Sequence, residues 1–118
     1  MRMWMVDPKL MCHQHLLGEH VELHMLTAWI VSGKKVDGWA LNNCLEPKAI
    51  GARHRQLAAE MMKRGYQHLS PLRQPVVAAH QYPHVRVDNA AALAELQRRC
   101  KACCNLSNQI GTLVIAGM

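Results

Sequence analysis

The chain has 118 residues, 50% of them hydrophobic, and a formal net charge of +6. That length supports one core and not two, so a single domain spanning residues 1–118 is expected. With 4% aromatic residues and no Phe, the core must be built from Leu, Val, Met, Ala and Cys, which argues against a β-sandwich and for packed helices.

Excess positive charge biases a small domain toward polyanions. The opening residues, Met-Arg-Met-Trp-Met-Val-Asp-Pro, lack the apolar run of a signal peptide, and nowhere does a stretch of about 18 apolar residues suggest a membrane span. A soluble intracellular protein with no membrane partner is expected. The five cysteines are odd in number and scattered as Cys12, Cys44 and the group Cys100, Cys103 and Cys104. Reduced thiols are therefore expected rather than a disulfide frame.

In chain order, Asp7 and Pro8 suit an N-cap and first helical position, and apolar periodicity then runs to about Val31, where Ser32-Gly33 ends it. On this helix His15, Glu19 and Glu22 share one face. His13, His20 and His24 lie nearly opposite, and Leu10, Leu17, Val21, Met25 and Ala28 form a third strip expected to face the core. Gly18 costs the helix up to about 1 kcal/mol against Ala, and packing against another helix is the expected reason for it. Residues 33–46 read as a loop carrying Lys34 and Lys35. A second helix is expected from Pro47 to Arg64, with Ile50, Leu57 and Met61 on its apolar stripe, Arg53, Arg55 and Lys63 on its other faces, and Gly65 as C-cap. Pro71, Pro75 and Pro83 make residues 66–87 a long connection. Asp88 then caps a third helix to about residue 104, with Leu93, Leu96, Cys100 and Cys103 at helical spacing and Arg98, Arg99 and Lys101 off the stripe. The apolar tail, Thr112 to Ala116, is expected to pack on the body. The expected fold is all-α, a single compact domain of about three main helices with long connecting loops.

Three constellations carry chemistry. The first is the amino end with Glu22: Arg2 is too bulky for ordinary removal of the initiator methionine, so the α-amine expected to emerge is that of Met1. An α-amine is roughly a quarter to two-fifths neutral at about pH 7.5, where a lysine amine is almost wholly protonated, and a neutral amine is a ready Schiff-base nucleophile. The second is His20-x-x-x-His24, a spacing that suits zinc but lacks both a third ligand and the Glu after the first His that a metalloprotease needs. A hydrogen-bonded histidine face is the expected reading. The third is Cys100-x-x-Cys103-Cys104, which only the isolated Cys12 and Cys44 remain to complete as a structural zinc site. Because Cys100 and Cys103 continue the stripe of Leu93 and Leu96, buried free thiols are expected. No metal ligand and no cofactor is assigned on these grounds.

Met1-Arg2, then Gln14-His15-Leu16-Leu17-Gly18-Glu19-His20-Val21-Glu22-Leu23, the Gly33-Lys34-Lys35-Val36 loop, and Arg55-Gln56 through Lys63-Arg64-Gly65-Tyr66 together resemble the phage-type pyrimidine-dimer DNA glycosylase with AP-lyase activity, the repair endonuclease V of phages. The similarity covers about the first 66 residues, with Tyr82-Pro83-His84 as a fainter echo. It implies a compact all-α domain in which the terminal amine attacks C1′ of the damaged nucleotide and a Glu on the first helix is indispensable. Carried over residue by residue, the carboxylate falls on Glu22, the nucleophile on Met1, the basic residue beside it on Arg2, and the Gln-His pair on Gln14-His15. The family's nucleophile follows a removed methionine; one residue fewer precedes the motif here, so a retained Met1 keeps the register. Where the phage enzyme carries arginines beside and three residues beyond the Glu, this chain has Val21 and Met25, and Thr112 to Met118 replaces an aromatic, basic C-terminal segment. Those differences bear on the substrate more than on the chemistry.

The resemblance thus implies a DNA N-glycosylase and β-lyase acting as a monomer on double-stranded DNA, in the cytoplasm of a bacterial or phage-infected cell. Met1 and Glu22 would be catalytic, and Arg2, Gln14, His15, Lys34, Lys35, Arg53, Arg55, Lys63 and Arg64 would contact DNA. Two other classes fit the same residues: a non-catalytic basic helical module for nucleic acid or a protein partner, and a zinc-dependent hydrolase using His20 and His24, which metal analysis would single out.

Overall fold

In the computed structural model, residues 1–67, 72 and 85–116 are described, side chains only as far as residue 109. Among them the regular structure is entirely helical: α1 (His13–Val31), α2 (Asp37–Leu41), α3 (Ile50–Lys63), α4 (Asn89–Arg99) and α5 (Lys101–Ala116), with short 3-10 turns at Pro8–Leu10 and Pro47–Ala49. No helix among the described residues is long and apolar enough to cross a membrane.

The Asp7-Pro8 signal opens the 3-10 turn rather than the long helix. The Asp7 side chain accepts from the Lys9 N–H, the chain becomes extended at Met11, and α1 starts afresh after Cys12. At the other end Gly33, at φ +79°, and Gly65, at φ +85°, follow α1 and α3 in the left-handed conformation that a side chain resists.

The buried stripe of α1 is Leu16, Leu23, Leu26 and Ile30, and these meet Ile50, Leu57 and Met61 of α3 in one cluster. The strip expected from periodicity is corrected here: Val21 and Met25 are about half exposed, Ala28 is exposed, and Leu10 and Leu17 are only half-buried. Helix α1 is apolar on more than one side, so spacing alone does not choose a face. The choice is made by Glu19, which must sit where Arg53 can reach it.

Two further corrections concern helix number. The loop at residues 33–46 contains the short α2, and the expected third helix breaks at Cys100, whose φ of −130° and ψ of 109° are extended. The Asp88 cap stands, its carboxylate accepting from the Ala91 N–H at 3.1 Å. Helix α5 packs on α4 and on the first 3-10 turn. Polar ties fix Val87 and Asp88 to the loop before α3: Asn43 Oδ1 accepts from the Asp88 N–H at 2.6 Å and Glu46 Oε1 from the Val87 N–H at 2.8 Å. Most of the expected 66–87 connection, the Tyr82-Pro83-His84 echo and the packing of the tail lie outside the described residues.

Candidate active site at the amino end

A chain terminus usually frays, but this one is anchored. Met3, Trp4 and Val6 are buried in the core, and the Met3 N–H donates to the Cys44 carbonyl at 2.6 Å. Met5 has a φ of +56°, an uncommon conformation for a side-chain-bearing residue, and it turns the chain so that Trp4 and Val6 both point inward. The Arg2 guanidinium lies 3.8 Å from the centre of the Trp4 ring, a cation–π contact that fixes the second residue.

The segment therefore runs beside α1 at Glu22. The Arg2 N–H donates to Glu22 Oε2 at 3.2 Å. Covalent geometry keeps the Met1 nitrogen within about 4 Å of the Arg2 nitrogen, so the amine lies within about 7 Å of the carboxylate. Glu22 is half-buried, accessible to a ligand. On the same helix face, Gly18 opens the ground one turn earlier: a Cβ built there meets nothing within 4 Å. The expectation that Gly18 packs against a helix is thus corrected.

Glu19, one turn before Glu22, has a different fate. It forms a two-pronged ion pair with Arg53, Nε to Oε2 at 2.6 Å and Nη2 to Oε1 at 2.8 Å. Arg53 also donates to the Val6 carbonyl at 2.6 Å and to Gln56 Oε1 at 2.8 Å. Arg53 is 2% exposed, so its place among the DNA contacts is corrected: its fork is saturated by buried partners and cannot reach a phosphate. Arg64 is half-buried and spends its Nη2 on the carbonyls of Pro8 and Met11, at 3.0 and 2.8 Å. Gln14, Lys34, Lys35, Arg55 and Lys63 are exposed, with the Lys34 ammonium 4.3 Å from the centre of the Trp29 ring.

A family model for pyrimidine dimer DNA glycosylases matches residues 1–74. The chain belongs to the pyrimidine dimer DNA glycosylase family. Comparison with curated proteins and with solved structures gives no significant match to either. The stretch matched by the glycosylase family holds the terminus, α1 and α3, and hence every residue described above; α4 and α5 lie beyond it.

Two further groups of ligand-type side chains are present, one on the opposite flank of α1 and one at its base. His20 and His24 are joined by His54 of α3, with ring centres 4.6 to 5.1 Å apart, so the third imidazole that sequence reasoning lacked is present. Helical spacing puts them on the flank away from Glu22. The second group is Cys12, His15, Cys100 and Cys103, all four ligand atoms within 4.8 Å of one another. Sequence reasoning missed it because His15 was given to DNA; the Cys12-x-x-His15 spacing, mirroring Cys100-x-x-Cys103, was the available signal. Burial pushes the Cys103 thiol up to about 12, which makes the bare thiol a poor nucleophile at neutral pH. Cys44 stands apart, its thiol directed to the Asn42 carbonyl.

Proposed function

We propose that the protein is a DNA N-glycosylase with an associated β-lyase activity, its nucleophile the α-amine of Met1 and its essential carboxylate Glu22. The observation that carries the reading is the hydrogen bond from the Arg2 N–H to Glu22 Oε2 at 3.2 Å, which joins the amino end to the one α1 carboxylate left without a buried cation. Family membership supports DNA carrying a pyrimidine dimer as the substrate class, and the proposed form of that DNA is a duplex.

In this mechanism the neutral amine bonds to C1′ as the glycosidic bond breaks and the base departs with its electron pair. The nitrogen then gives up one proton and the C1′–O4′ bond opens, O4′ taking up a proton, which leaves a protonated imine on C1′; loss of a C2′ proton then expels the 3′ phosphate. Glu22 offsets the developing oxocarbenium and iminium charge and relays the protons. Arg2, Gln14, Lys34, Lys35, Arg55 and Lys63 are the proposed contacts to sugar and phosphate, which position the duplex as a whole. The exposed Val21 and Met25 flank Glu22 and favour apolar contact with an extruded nucleotide over charge contact.

Borohydride trapping tests the reading. Reduction of the imine on a duplex with an abasic site should leave a stable covalent complex with the untagged protein, and acetylating the terminus should abolish it. Lys34 and Lys35 remain available in the blocked protein, so undiminished trapping, with the adduct mapped to a lysine, would overturn the role given to Met1. Absence of trapping in the unblocked protein would favour a non-catalytic basic module.

A further inference from the structure

The Cys12, His15, Cys100 and Cys103 cluster serves no step of that chemistry. Three of its six edges are short, Cys12 Sγ to His15 Nδ1 at 3.3 Å, Cys103 Sγ to His15 Nδ1 at 3.7 Å and Cys12 Sγ to Cys100 Sγ at 3.8 Å, and the other three lie within 4.8 Å. A tetrahedral zinc, with Zn–S of about 2.3 Å and Zn–N of 2.0–2.1 Å, sets S···S edges of about 3.8 Å and S···N edges of about 3.5 Å. Those three edges match that tetrahedron closely. An iron–sulfur cubane would need its thiolates spread much more widely around the cluster.

Backbone N–H groups point at two of the sulfurs. The Cys12 N–H donates to Cys103 Sγ at 3.1 Å and the Cys103 N–H to Cys100 Sγ at 3.4 Å, the backbone bonds that orient and stabilise metal-bound sulfur. Cys12 is the N-cap of α1 and Cys100 directly precedes α5, so two helix N-termini face the negative charge that three thiolates would bring. The pairs Cys12-x-x-His15 and Cys100-x-x-Cys103 have the short spacing of structural zinc sites.

We propose that Cys12, His15, Cys100 and Cys103 bind one structural zinc ion that staples the α4–α5 pair to the base of α1. Four protein ligands close the coordination sphere, so the ion takes no part in the lyase chemistry, and the assignment stands whether or not Met1 is the nucleophile. The staple joins positions 88 residues apart and binds helices outside the family-matched stretch to the helix that carries Glu22. Zinc entry displaces the three thiol protons, and His15 binds through Nδ1.

Elemental analysis of the untagged protein, purified without chelator, should find one zinc per chain. Cobalt replacement should show thiolate charge-transfer absorption and the intense d–d bands of a tetrahedral centre. Cys103→Ser and Cys100→Ser should each lose the ion, whereas Cys44→Ser, Cys104→Ser and His24→Ala should keep it. His15→Cys, which preserves four ligands, should retain zinc with a shifted cobalt spectrum, and this arm decides the matter if the serine variants do not fold. Prolonged chelation should lower the melting temperature, with zinc restoring it. The proposal is overturned by metal-free wild-type protein, by a disulfide between Cys12 and Cys100, by iron in place of zinc, or by zinc that survives Cys103→Ser but not His24→Ala.

Discussion

Glu19 and Glu22 occupy one helix face three residues apart, yet the structure places them in opposite circumstances. The Glu19 carboxylate is buried against Arg53, so Glu19→Gln leaves a guanidinium without its counter-charge, and loss of one partner of such a pair costs about 3–5 kcal/mol. Chemical denaturation should show that loss, while the fraction that remains folded cleaves DNA normally. Arg53→Lys should not restore stability, because an ammonium cannot reproduce the two-pronged geometry. Glu22→Gln should do the reverse, abolishing strand cleavage while stability and DNA affinity stay near the wild-type values. A stable, inactive Glu19→Gln beside an active Glu22→Gln would show that the catalytic register is misplaced by one turn.

Helix α1 carries both carboxylates, and its interior glycine tests how closely DNA approaches. Since a Cβ at Gly18 meets open space, Gly18→Ala should gain up to about 1 kcal/mol of helix propensity, raising the melting temperature by about 2–6 °C. If a nucleotide descends on the face between His15 and Glu22, the same methyl should slow borohydride trapping several-fold. A rise in melting temperature with unchanged trapping would move the DNA away from Gly18. The ends of α1 and α3 were legible in the sequence because Gly33 and Gly65 announce them through backbone chemistry, and the Asp88 cap likewise. The inward face of α1 was not, since Val21 and Met25 are as apolar as Leu23 and Leu26, and only the distant Arg53 selects between the stripes. Pairing of Cys12 and His15 with Cys100 and Cys103 is equally non-local: periodicity near Leu96 accounts for buried cysteines and is blind to a partner at the far end of the chain. Glu22 is proposed from its family register, and the structure contributes its hydrogen bond to the Arg2 N–H.

At the scale of the molecule, the net charge of +6 is not all available to a polyanion. Arg53 is sealed inside, Arg64 is tied to carbonyls, and Arg98 and Arg99 share the Glu95 carboxylate, whose pKa they hold at about 2. Among the described residues the exposed cations of the family-matched stretch include Lys34, Lys35, Arg55 and Lys63, and these are the ones proposed to meet DNA. Each phosphate neutralised contributes about −0.9 to the slope of log K against log[salt]. Lys35→Ala or Arg55→Ala should therefore make the slope shallower by up to about 0.9 and weaken binding alike for lesion and undamaged duplex. Arg53→Met, which removes the same formal charge from the interior, should leave the slope unchanged in the folded fraction and show its effect in stability alone. Titrations across a range of salt concentrations check both halves. A slope that shifts with Arg53 and not with Lys35 or Arg55 would mean that the duplex lies across a different face, and an affinity indifferent to salt would point to a protein partner instead of DNA.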